Sequence, residues 1–160
     1  MYVTTISQND IYLYSLQDNQ LLLQDKLSTG LSNASILRMR AYEDVLYFLV
    51  LFKDTDDLSI YSYEFESECI TKLDVSGVEW FDCINDKELL ISSNVNDKAT
   101  LSVYNVITRA IEDIYSLKDQ VKDFTYTHDM HILNIHGGKQ LISSDLKDGI
   151  GMIIYHGAKN

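Results

Sequence analysis

An all-β fold of repeated four-stranded antiparallel units is what this sequence predicts, and three observations lead there. Apolar and polar residues alternate at a period of two along most of the chain, the signature of half-buried strands rather than helices. Polar turn signals break these runs about every 8–12 residues, as in sandwiches, barrels and propellers. A unit of about 42–43 residues also recurs, and self-similarity at that period marks a repeat architecture.

Taken in order, the first run is Ile11-Tyr12-Leu13-Tyr14-Ser15-Leu16, which stops at the polar Gln17-Asp18-Asn19-Gln20 and resumes at Leu21-Leu22-Leu23. That is a hairpin pattern. The same logic places hairpins either side of Asp54-Thr55-Asp56-Asp57 and of Asn94-Val95-Asn96-Asp97, and Gly137-Gly138 separates a further pair of runs. Over Ala110–Lys118 the residues Ile111, Ile114, Tyr115 and Leu117 could share a helical face, but the repeat asks for a strand there.

The repeat itself is read by superposition. Val78, Phe81, Asp86, Leu89 and Leu90 match Val121, Phe124, Asp129, Ile132 and Leu133 at an offset of 43, and Ile36, Met39, Asp44, Tyr47 and Phe48 at an offset of 42. A second set follows in each unit: Leu58–Tyr63 and Leu101–Val106 stand 43 apart, with Ile11–Leu16 placed 47 before the former. Each of these is followed by a polar turn and another mixed strand. Four strands per repeat of this length is the arithmetic of a propeller blade.

The expected architecture is therefore a partial or small β-propeller of about four blades, in one domain over 1–160. Its units are an incomplete one at 1–28 without an innermost strand, then 35–75, 78–117 and 121–157. A short stack leaves unpaired strand edges and an unclosed apolar face. A compact four-bladed ring, self-association into a larger ring, completion by another chain, or membership of a longer propeller would each resolve that.

Tyr14-Ser15, Tyr61-Ser62 and Tyr104-Asn105 stand where WD repeats carry Trp-Asp, and Leu101–Thr108 resembles the end of a degenerate WD repeat's third strand with its turn. The units thus resemble degenerate WD-repeat blades, without a Gly-His opening or a true Trp-Asp pair. The resemblance implies protein–protein interaction as the function.

Composition narrows the partners. The net charge of −11 opposes direct nucleic-acid binding, which needs a positive face, and opposes docking on anionic membranes. At 46% apolar the chain can bury a core. Cys69 and Cys83 make no disulfide framework and read as small core residues. The first residues, Met1-Tyr2-Val3-Thr4-Thr5, carry no basic region or long apolar run, and the longest apolar run, Val45–Phe52, is too short to span a bilayer. An intracellular protein, cytoplasmic or nuclear, is expected.

Chemistry-bearing motifs are sparse. His128 and His131 are three apart, which on a strand places them on opposite faces and not on one metal. The Asp54–Asp57 run lacks the Gly and Glu that a calcium loop needs at its sixth and twelfth positions, where Ser59 and Phe65 stand. Asp44, Asp86 and Asp129 recur at one turn and read as Asx-type turn residues. No activated nucleophile, Gly-rich phosphate loop or metalloprotease motif occurs. No cofactor and no catalytic activity are expected.

What remains is a binding surface. The loops Ser28–Asn33, Val75–Val78 and Lys118–Gln120 are expected to share one face with Asp54–Asp57, Asn94–Lys98 and His136–Gly138. Candidate partner-binding residues are Asp54, Asp56, Asp57, Gly77, Trp80, Asn96, Asp97, Lys118, Asp119 and His136. Trp80 is an anchor candidate because Trp dominates interface hot spots, while burial between blades is its competing role. The expected function is a protein-interaction scaffold or complex subunit, whose protein partner could complete the propeller and whose own copies could associate. The alternative is a small acidic inhibitor that neutralises a basic partner.

Overall fold

The computed structural model describes residues 2–7, 10–96, 98–117, 124–127, 132–135 and 139–142. Every regular element among them is a strand. These are β1 (Tyr2–Ser7), β2 (Asp10–Gln17), β3 (Gln20–Ser28), β4 (Ala34–Tyr42), β5 (Val45–Phe52), β6 (Asp57–Glu64) and β7 (Cys69–Lys72). Then follow β8 (Val78–Cys83), β9 (Glu88–Val95), β10 (Lys98–Asn105), β11 (Ile111–Leu117), β12 (Phe124–Thr127), β13 (Ile132–Ile135) and β14 (Lys139–Ile142). Residues 111–117 form a strand, as the repeat asked.

The strands form four antiparallel meanders in chain order: β1-β2-β3, β4-β5-β6-β7, β8-β9-β10-β11 and β12-β13-β14. Two are four-stranded. The first sheet has three described strands, and β2 and β3 correspond to the third and fourth strands of the next sheet, so no described strand holds its first position. No helix among the described residues is long and apolar enough to cross a membrane.

Local chemistry explains the turns. Asp18 and Asn19 both adopt positive φ (50° and 61°) between Gln17 and Gln20, the type I′ geometry that matches the twist of a two-residue hairpin. Glu43, Asp56 and Asn96 also take positive φ in their turns.

The sheets stack face to face. Ile11 and Leu13 of the first sheet pack with Ile36, Leu46, Phe48, Val50 and Tyr63 of the second. On its other face the second sheet offers Tyr47, Leu49 and Ile60 to Val78, Phe81, Leu89, Ile91 and Tyr104 of the third. This explains the continuous apolar run in β5. Leu46 to Val50 are all buried because that strand is covered on both faces, where alternation gives way to an unbroken hydrophobic stretch. The first strands of successive sheets lie beside one another, β8 next to both β4 and β12.

Ladder register tests the repeat residue by residue. A β-bulge interrupts β4 at Leu37, between Ile36 and Arg38, and β8 at Glu79, between Val78 and Trp80. The two bulges are 42 apart, which fixes that offset for the first strands. In the second strands the offset is 43, since Ile36 pairs Val50 and Val78 pairs Ser93. Leu46 and Phe48 are thus the counterparts of Leu89 and Ile91, correcting the match of Tyr47 and Phe48 with Leu89 and Leu90. In the third strands it falls to 41, because Leu46 pairs Tyr63 and Leu89 pairs Tyr104.

The cause is loop length. Four residues join β5 to β6, whereas two join β9 to β10. Tyr63, not Tyr61, is therefore the structural counterpart of Tyr104, and the Tyr-Ser and Tyr-Asn dipeptides are not equivalent between these two sheets. Val121 lies outside the described residues; Phe124 opens β12, the first strand of its sheet, 43 residues after Phe81 in β8.

Candidate interaction surface

Each meander has two ends, and backbone hydrogen bonds show which loops share them. At one end the connection between sheets docks on the turn between second and third strands: Lys53 N–H donates to Asn33 O at 2.8 Å and Asn94 N–H to Gly77 O at 2.7 Å. We call this the crossover end. At the opposite end the other two turns meet, with Phe65 N–H donating to Asp44 O at 3.0 Å and Val106 N–H to Lys87 O at 2.8 Å. Loops 28–33, 75–78 and 54–57, with residues 94–96, thus share the crossover end as the repeat implied. Lys118, Asp119 and His136, with their loops, lie outside the described residues.

The expected site residues divide here. Asp54, Asp56 and Asp57 are exposed at the crossover end, and Asp54 accepts a hydrogen bond from Asn33 Nδ2 at 3.0 Å. Asn96 is exposed in the two-residue turn whose other member, Asp97, lies outside the described residues. Gly77 serves packing: at φ +63° a Cβ there would come 2.4 Å from Asn94 O, so the connection can dock on β9 only through glycine. Trp80 is half-buried, packed against the core between the second and third sheets, and the Arg38 guanidinium lies 4.8 Å from its ring centroid. It clasps two sheets together.

That clasp is charged. Arg38 Nη2 and Arg40 Nε donate to the two carboxylate oxygens of Asp82 at 2.6 and 2.9 Å, and Asp82 Oδ1 also accepts from Cys83 N–H at 3.0 Å. The ladder makes Arg38 the counterpart of Trp80 and Arg40 that of Asp82, so equivalent positions of neighbouring first strands have become complementary partners. Beside them, burial and the Asp82 charge push the Cys83 thiol up to about 12. Tyr47, buried nearby, is raised to about 12, chiefly by burial. Cys69, expected in the core, is exposed at the start of a short outer strand. At the recurring acidic turn the Asx bond belongs to Asn85, whose Oδ1 accepts from Lys87 N–H at 2.9 Å, and not to Asp86.

The concave feature of the crossover end is a cleft of about 530 Å³ between the second and third sheets. Asp74, Val75 and Ser76 of the connection form one wall, and Ile91, Ser93, Val95, Thr100 and Ser102 form the other. Ser93 and Thr100 hydroxyls meet at 2.9 Å. The register explains why the cleft exists. In the space between first and second sheets the equivalent positions are Phe48, Val50, Phe52, Ser59 and Tyr61, whose rings pack with centroids 5.7 and 6.4 Å apart. Smaller side chains stand at most of these positions one sheet on, and they line the cleft.

Sequence reading missed this lining because Ser102 was aligned with Ser59 and not with Tyr61. With the true offsets of 43 and 41, the change from aromatic to small residues is visible in the sequence. Among the described residues no group of three or more His, Cys, Asp or Glu could hold a metal ion; the four histidines lie outside them.

No family model matches the chain, WD repeats included, and no curated protein matches it. Among solved structures, TolB from Acinetobacter baumannii, a β-propeller protein, is similar over 89% of this chain with a TM-score of 0.55. The fold is propeller-like. At 13% identity the likeness bears on fold alone. The chain spans 36% of the TolB chain's length, and its sheets can now be called blades.

Proposed function

We propose that this chain is a non-enzymatic protein-interaction scaffold or a subunit of a larger complex, engaging partners through the crossover end and through open blade edges. The observation that carries the reading is the cleft between second and third blades: concave, open at the loop end, and lined by uncharged side chains with Asp74 as its one carboxylate. Such a lining suits an inserted partner side chain. It offers no pair of carboxylates and no base beside a nucleophile for catalysis.

The inhibitor reading would gather acids on one face. Exposed acids instead occupy both ends, Asp54, Asp56 and Asp57 at the crossover end and Glu43, Asp44, Glu66, Glu68 and Asp86 at the other. Lys53, Lys87 and Arg109 are interspersed. Mixed charge at both ends favours the scaffold.

A photo-crosslinking residue placed singly at Asn96, Ser76 or Glu66 tests the proposal. The scaffold reading expects a partner to be captured from Asn96 and Ser76 but not from Glu66, with capture persisting at high salt. Capture from Glu66 alone, or loss of capture as salt shortens the Debye length, would replace it with the inhibitor.

A further inference from the structure

The first blade ends in an edge strand unlike the others. β3 runs for nine residues with solvent beside it, and Leu21, Leu22 and Leu23 are 53, 41 and 55% exposed. The corresponding strand of the second blade, β7, is only four residues long. Proteins blunt long edges with proline, lysine, bulges or brevity, and the bulge of β3, at Gln24, lies beyond the three leucines and leaves their stretch of edge regular. The chain has no proline, and the lysine of this strand is turned back on its own blade: Lys26 Nζ pairs with Asp10 at 2.7 Å and lies 5.7 Å from the Tyr12 ring centroid.

We propose that β3 is a homodimer interface, pairing antiparallel with β3 of a second copy about a two-fold axis at Leu22. The backbone sets the register. The two-residue turn makes Gln17 and Gln20 a hydrogen-bonded pair, so along the ladder Gln20 and Leu22 bond inward to β2. The N–H and C=O groups of Leu21 and Leu23 then face the open edge.

A two-fold at Leu22 sets Leu21 opposite Leu23 of the partner, twice, with all of these groups in register. It sets Leu22 against its own copy on the axis, and the pairing ends before the bulge at Gln24. Apolar meets apolar throughout: the Leu21–Leu23 pair occurs twice, once on each side of the axis, and Leu22 meets Leu22 once on it, as an isologous contact requires. Moving the axis to Leu21 or Leu23 sets two of the three leucines against polar residues. The match of a strand to itself is what singles out a second copy as the occupant. The contact does not depend on the scaffold reading, because it lies on the outer edge, away from the cleft.

The full chain is tested by light scattering and by cysteine scanning in a Cys69→Ser background. A mass of twice 18.4 kDa, returning to 18.4 kDa for Leu22→Lys with unchanged circular dichroism, is expected. Leu22→Cys is expected to form a disulfide dimer on oxidation. Leu21→Cys or Leu23→Cys alone should not, while an equal mixture of the two should cross-link. A wild-type monomer at the highest concentration it tolerates overturns the interface. A Leu22→Lys variant that stays dimeric, or Leu21→Cys cross-linking to itself as readily as Leu22→Cys, overturns the register.

Discussion

Replacing Asp82 by alanine tests how the second and third blades are held together. Asp82 receives both guanidinium groups, but the two contacts are not equal. The Arg38 and Asp82 side chains are only 8 and 5% exposed, whereas Arg40 is 38% exposed. Removing one member of a buried ion pair costs about 3–5 kcal/mol, because the remaining charge keeps its desolvation penalty. Arg40→Ala acts on a solvent-screened contact, worth about 0.5–1 kcal/mol. Asp82→Ala should thus remove a large part of a total stability that is usually about 5–15 kcal/mol. The double replacement Arg38→Met with Asp82→Leu leaves no buried charge in that pair and should recover most of the loss. Urea unfolding is read by Trp80, the one tryptophan of the chain, with circular dichroism alongside. The reasoning fails if Asp82→Ala costs less than about 1 kcal/mol, or if Arg40→Ala costs as much as Arg38→Ala.

Three further outcomes are expected. Gly77→Ala should destabilise well beyond the about 1–2 kcal/mol of left-handed backbone strain, and Gly30→Ala, where a Cβ meets nothing within 4 Å, by no more than that strain; equal melting shifts would refute the docking role of Gly77. A thiol reagent at mildly alkaline pH should modify Cys69 and spare Cys83 until the chain unfolds, since the Cys83 thiol is raised to about 12; native-state labelling of both would contradict this. Tyr47 is raised from 10.0 to about 12 by burial, so folding favours its neutral form, and that contribution is full below pH 10 and lost as pH climbs through 12. Alkaline melts of Tyr47→Phe should fall less steeply over that window, and an unchanged slope would remove Tyr47 as a cause.

Much of the fold was legible in the residues. The period of two, the Asp18-Asn19 and Asn96 turns and the recurrence near 43 residues gave strands, hairpins and four-stranded units, because each depends on neighbours close in sequence. The crossover end was legible too, since loops at equivalent points of a repeat emerge on one side. The exact equivalences were not. A two-residue difference between the β5–β6 and β9–β10 loops shifts the third strands from 43 to 41, and period-two apolarity looks much the same after a shift of two. That concealed both the Tyr63–Tyr104 correspondence and the small-residue lining of the cleft.

By itself, then, the sequence determined the elements, their antiparallel order and the apolar stripes that let one sheet stack on the next. Those follow from side-chain alternation and turn geometry. Only the tertiary structure decided that Arg38 and Arg40 close on Asp82 across two blades, that Gly77 is a packing glycine, and that Ser93 and Ser102 line a cleft. It also decided that three leucines of β3 stand exposed along an open sheet edge. Each of these depends on which residues of distant segments come within a few ångströms of one another, and the alternation of a single strand carries no record of what will lie across from it.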